Sequence, residues 1–127
     1  KGAPQPMENR LAASPYIAHI VVVGDKRSTL AALVVPAFAH LSVWTKARGI
    51  DGDPKSTAVL DHPEVQRLYK GEIDRLLPGL ADFEKIRRFS LIGEELTVDN
   101  GLLTPTLKVR KRSLLERYAH MVEEMYR

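Results

Sequence analysis

Two apolar, β-branched runs separated by only five residues constrain this chain more than any other feature. Residues 16–23 are nearly continuously apolar, and residues 29–35 repeat the pattern after Gly24-Asp25-Lys26-Arg27-Ser28. The first run lacks the strict alternation of a strand with one wet face, so it reads as a strand covered on both sides. The intervening turn makes the pair a β-hairpin. Neither run approaches the roughly 20 apolar residues needed to cross a bilayer.

The remaining segments read mainly as helices around that hairpin. Residues 7–13 form a short helix with Pro6 suited to its first turn, and Ser14-Pro15 stops it. Residues 37–48 form a helix with Phe38, Leu41, Val43 and Trp44 as its apolar side and Gly49 at its C-terminal end. Residues 50–56 are a loop, and Asp51-Gly52-Asp53 is a turn, not a calcium loop. Asp61, Pro63 and Glu64 read as a helix start with Asp61 as the capping carboxylate. That cap also explains the Asp61, His62 and Glu64 cluster without a metal. The helix that follows carries Val65, Leu68, Tyr69, Ile73, Leu76 and Leu77 at spacings of three and four, and Pro78-Gly79 ends it. Residues 80–85 add a helical turn or two, residues 87–92 form a third strand, and Asp99-Asn100-Gly101 is a turn. Leu114, Leu115, Tyr118, Met121, Val122 and Met125 lie on one stripe of a C-terminal amphipathic helix. The expected fold is α+β: a small, mainly antiparallel sheet (the hairpin plus a third strand) flanked by helices.

At 127 residues the chain is sized for one domain. It contains no cysteine, which excludes thiol nucleophiles, disulfides and thiolate metal sites. His19 stands alone in the first strand and reads as structural, since no second ligand lies two residues away. The net charge of +3 is modest, so the position of the charge matters more than its total. Four of the five residues at 108–112 are basic, and they border the start of the last helix, where cations oppose the helix dipole. One reading starts that helix at Ser113, with Glu116 completing a capping box, and leaves the basic run as a solvated loop. The other makes the run an anion site.

The segment Asn100-Gly101-Leu102-Leu103-Thr104-Pro105-Thr106-Leu107-Lys108-Val109-Arg110-Lys111-Arg112 resembles the C-terminal lysine motif of AMP-forming fatty acyl-CoA synthetases, in the adenylate-forming superfamily. Lys1-Gly2-Ala3-Pro4-Gln5-Pro6-Met7-Glu8-Asn9 resembles the segment just after the interdomain hinge of those enzymes. Ser14-Pro15-Tyr16-Ile17, Val21-Val22-Val23-Gly24-Asp25 and Leu30-Ala31-Ala32-Leu33-Val34-Val35-Pro36 are similar in the same order. Three ordered motifs across essentially the whole chain form a specific signal. The resemblance implies a single C-terminal lid domain over residues 1–127, cut from a larger enzyme just after the hinge.

The implied full-length enzyme is a long-chain-fatty-acid–CoA ligase, an acid–thiol ligase. A fatty acid and ATP give an acyl-adenylate and pyrophosphate, and CoA then displaces AMP as the lid rotates. The motif lysine falls on Lys108, which would act in catalysis by stabilising charge at the α-phosphate. Short-chain synthetases and peptide-synthetase modules usually carry glycine before this lysine; here Leu107 stands there, as in the long-chain branch the chain resembles. Gly2, Arg87, Arg88, Arg110, Lys111 and Arg112 are candidates for binding CoA phosphates, and no metal site is implied in the chain. ATP with Mg and CoA would be co-substrates of the full-length enzyme, none held tightly by the fragment, which alone would be inactive. The implied partners are the missing N-terminal adenylation domain, fatty acid, ATP and CoA. No nucleic acid is implied, and the implied location is the cytoplasm, with peripheral membrane contact left open. The alternative is a non-catalytic basic module that binds nucleic acid or an anionic membrane. The nucleic-acid version wants aromatic residues among the charges, and only Phe89 lies near them.

Overall fold

The computed structural model describes residues 4–79 and 84–127. Gly2 and most of the helical turns expected over residues 80–85 lie outside these. The elements run α1 (Pro4–Leu11), β1 (Ile17–Val23), β2 (Leu30–Pro36), α2 (Phe38–Ala47), α3 (Thr57–Leu60), α4 (Pro63–Leu76), β3 (Ile86–Leu91), α5 (Lys111–Arg117) and α6 (Ala119–Glu124).

The sheet has the order β1-β2-β3. β1 and β2 form the expected antiparallel hairpin, with Ile20 opposite Val34 and Val22 opposite Ala32. β3 runs parallel to β2, so the sheet is mixed. The parallel pairing follows from the connection: α2, α3 and α4 carry the chain back along one face before it re-enters the sheet. Register slips by one residue between the pairs Leu30–Ile86 and Ala31–Arg88. Arg87 is therefore the extra residue of a bulge, which leaves it and Arg88 both exposed.

The central strand β2 is buried along its whole length, because layers cover both faces. On one face Leu30, Ala32 and Val34 pack with Met7 and Leu11 of α1 and Val65, Tyr69 and Ile73 of α4. On the other, Ala31, Leu33 and Val35 pack with Ile92, Leu96, Leu102, Leu103, Leu114 and Met125. Burying an apolar side chain of this size contributes about 1.5–3 kcal/mol, so neither layer is dispensable.

Several local expectations change. Val43 is 71% exposed and does not belong to the apolar side of α2. α3 is an additional turn capped by the Ser56 hydroxyl, which accepts from the Val59 amide. Asp61 is spent as the C-cap of α3, so the cap of α4 is His62, whose Nδ1 accepts from the Glu64 amide at 3.1 Å. The C-terminal stripe is core, as expected, but it lies on two helices. Tyr118, at φ −111° and ψ 26°, ends α5 and begins α6. Its hydroxyl bonds Glu94, which also pairs bidentately with Arg117 at 2.7 and 2.8 Å.

Candidate functional site

The basic motif is organised around a tight hairpin turn. Leu103 and Val109 form an antiparallel bridge, and the Arg110 amide donates to the Leu102 carbonyl at 2.9 Å. Leu102 and Leu103 are buried and anchor the base of the turn in the core. Within it, the Leu107 amide donates to the Thr104 carbonyl at 2.7 Å and the Thr104 amide to the Lys108 carbonyl at 2.8 Å. The Lys108 amide donates to Thr104 Oγ1 at 3.0 Å, and the Thr104 and Thr106 hydroxyls lie 3.1 Å apart. Pro105 presets the first turn position, while Leu107 takes the left-handed conformation, φ +67°, that closes a three-residue hairpin loop. A left-handed position of this kind favours glycine, and this chain fills it with a leucine.

Lys108 is exposed at this turn, and its ammonium has no hydrogen-bond or ion-pair partner among the described residues. It borders a cleft of about 240 Å³ shared with Gln5, Asn9, His19 and Lys111. Lys111, three residues on, is held. Its Nζ donates to Glu8 Oε1 at 2.5 Å and Gln5 Oε1 at 3.1 Å. Glu8 is 6% exposed, and its Oε2 accepts from the Val22 amide at 2.8 Å, which points away from β2 at the open edge of β1. One carboxylate thus joins α1, β1 and the start of α5. Half-burial depresses the His19 imidazole below its ordinary value through desolvation, which favours the neutral ring. Among the described residues no three His, Asp or Glu side chains gather to hold a metal ion.

α5 begins at Lys111, not Ser113, and Arg110 at its N-cap makes no side-chain cap. The basic residues are therefore part of the helix start. They do not pair with Glu94 and Glu95, which are engaged by Arg117 and Lys55. Arg110 and Arg112 are exposed on the segment that carries Lys108. Arg88 donates to the carbonyl of Arg127 at 3.3 Å, on the face covered by the C-terminal helices. Arg87 lines a separate concavity beside Lys70, Asp74 and Leu77, so the structure does not gather all the arginines into one cluster. Sequence reasoning missed Glu8 and Gln5. Their spacing of three on α1, which puts both on one side of the helix, was the available signal.

A family model described as AMP-binding enzyme C-terminal domain matches residues 1–51. Long-chain-fatty-acid–CoA ligase 1 of Cavia porcellus is 32% identical over 127 residues, covering 98% of this chain and 18% of its own length. Long-chain-fatty-acid–CoA ligase 6 of Homo sapiens gives the same identity and coverage. The first 51 residues thus carry the pattern of an AMP-binding enzyme C-terminal domain, and the whole chain is similar to the C-terminal part of long-chain-fatty-acid–CoA ligases. The adenylation domain of a carboxylate reductase from Mycobacterium chelonae has the same fold over 98% of this chain and 18% of its own, with a TM-score of 0.63 and 28% identity. The A-PCP didomain of carboxylic acid reductase from Segniliparus rugosus, in complex with AMP, gives 0.62 and 28% over 98% of this chain and 16% of its own. The chain thus spans about a fifth of the length of the relatives it matches. No helix among the described residues is long and apolar enough to cross a membrane.

Proposed function

We propose that this chain is the mobile C-terminal lid of an ATP-dependent, AMP-forming long-chain fatty acid–CoA ligase and that Lys108 is its adenylation lysine. The observation that carries the reading is the contrast within the motif. Lys108 stands at a turn fixed by hydrogen bonds, with its ammonium unpartnered among the described residues, while Lys111 is neutralised by Glu8. A cation free to meet an incoming anion on a rigid support is what charge stabilisation in a transition state needs.

In the first half-reaction a fatty acid carboxylate oxygen attacks the α-phosphorus of ATP. The new P–O bond gives the acyl-adenylate, and pyrophosphate leaves with the electrons of the broken bond. Two anions approach each other in this step, and Lys108 offsets the accumulating charge. In the second, the CoA thiolate attacks the acyl carbonyl and AMP departs, leaving the thioester. Mg²⁺ would accompany ATP in the first half-reaction and offset part of the triphosphate charge. Arg110 and Arg112, exposed beside the lysine turn, are the best placed of the candidate phosphate contacts, with Arg87 and Arg88 further off. The reading puts the enzyme in the cytoplasm, with a membrane surface as a peripheral contact.

The test is Lys108→Ala in the full-length protein, with the two half-reactions measured separately. Pyrophosphate release from fatty acid and ATP should fall by about a hundredfold or more, while CoA thioester formation from supplied acyl-adenylate should change little. Equal losses in both steps would remove Lys108 from the role.

A further inference from the structure

Leu107 is left unexplained by the role of its neighbour. Its φ of +67° is a conformation that crowds the Cβ of an L-residue and that glycine or asparagine adopts more readily. Three-residue hairpin loops carry glycine at the left-handed position for this reason. The bonds that hold the turn come from the backbone and the Thr104 hydroxyl, so none depends on the side chain at 107. The leucine side chain is also 65% exposed and adds little to the core of the domain. Val43 and Val98 are the other large apolar residues exposed among the described ones, and neither has a positive φ. Only Leu107 combines an unfavourable backbone conformation with an apolar side chain turned to water, beside the unpartnered ammonium of Lys108.

We infer that Leu107 is a positioning residue: its side chain seats on an apolar surface of the remaining polypeptide when Lys108 reaches the reacting oxygens, and so sets the height and direction of the ammonium. The inference rests on the reading of Lys108 given above. The occupant is the same protein's own chain, since the curated relatives extend over about five times the length seen here. Backbone strain kept at a turn beside a reacting group is a recurrent sign that the side chain serves something beyond local stability.

The full-length protein tests this with Leu107→Gly, Leu107→Asn and Leu107→Met beside the wild type and Lys108→Ala. Glycine and asparagine suit the left-handed turn, so the midpoint of thermal unfolding should stay level or rise. Their turnover in pyrophosphate release should nevertheless fall by about tenfold or more, with little change in the KM for ATP. Thioester formation from supplied acyl-adenylate should persist, and methionine should restore adenylation. Wild-type adenylation in the glycine and asparagine variants, or a loss that tracks a falling midpoint and is not rescued by methionine, overturns the inference. A benzophenone amino acid at 107, irradiated with fatty acid and ATP present, gives a readout independent of turnover. Crosslinks to a peptide outside these 127 residues support the seat; a yield no greater than from the same probe at exposed Val98, or crosslinks to the acid instead, overturns it. If the wild type makes no adenylate, or Lys108→Ala leaves adenylation intact, the catalytic reading fails on its own, and the crosslink still decides the seat.

Discussion

Lys108 and Lys111 lie three residues apart and carry the same charge, yet the structure treats them as different objects. Around Lys111 the geometry converges: two α1 side chains take its ammonium, and the same Glu8 carboxylate takes the edge amide of Val22. Around Lys108 the backbone converges, and the side chain does not. A cation with a buried partner fastens the fold, whereas one on a rigid turn without a partner is available to a ligand. Charge counting along residues 108–112 cannot separate the two roles.

The largest effect that would break this contrast is a reversal of roles between the two lysines. Lys108→Ala should cost about a hundredfold or more in adenylation with no change in thermal midpoint, while Lys111→Met should lower the midpoint. If Lys111→Met left the midpoint unchanged and matched the kinetic loss, the distinction would be wrong. Next in size is Glu8→Ala, which strands the Val22 amide and the Lys111 ammonium together. Chemical denaturation should show a loss of about 1–3 kcal/mol; an unchanged stability would show that this carboxylate does not fasten α1 to the sheet edge. A smaller, purely kinetic effect should come from Arg110→Ala and Arg112→Ala. Each should raise the KM for CoA several-fold with the KM for ATP little changed; equal shifts in both would return these residues to the solvated surface.

The smallest effect is a pH dependence in the cleft beside Lys108. Burial holds the His19 pKa below 6.5 in the fold. The unfolded chain therefore takes up a proton first as pH falls, and stability declines from near 6.5 down to the folded value. Glu72 and Glu94 add a second decline. Arg75 and Arg117 respectively hold their carboxyls below 4.5, so their contribution is present above that pH and lost as pH falls through the lower folded values. Thermal melts at stepped pH should lose the upper of the two declines in His19→Gln and keep the lower one.

Much of this architecture was legible because it depends on local pattern. The hairpin follows from two β-branched runs and a turn, and α4 from an apolar stripe. The turn at residues 97–102 follows from Asn100, whose side-chain oxygen accepts from the Thr97 and Leu102 amides at 3.0 and 3.1 Å. What was not legible depends on contacts between distant segments. The parallel direction of β3 is decided by how the helices lie on the sheet. The break at Tyr118 leaves the apolar stripe intact, and the Glu94 partner that marks it lies 24 residues away. The cap of α4 passed from Asp61 to His62 because α3, unforeseen, had already used Asp61. The lysine motif was readable as a resemblance, but the left-handed Leu107 and the Glu8 tie needed coordinates.

The parallel pairing of β2 with β3 also bears on how the chain reaches its fold. The hairpin closes across the six residues 24–29 and can form early, because little chain entropy is lost in bringing its ends together. β3 can dock only after α2, α3 and α4 have folded back across the sheet, and the far face of β2 stays bare until residues 92–126 arrive. Non-local pairing of this kind slows folding. During synthesis the emerging hairpin would expose Ala31, Leu33 and Val35 for as long as the last third of the chain is still being made. That interval, not the finished domain, is where this sequence is most open to aggregation.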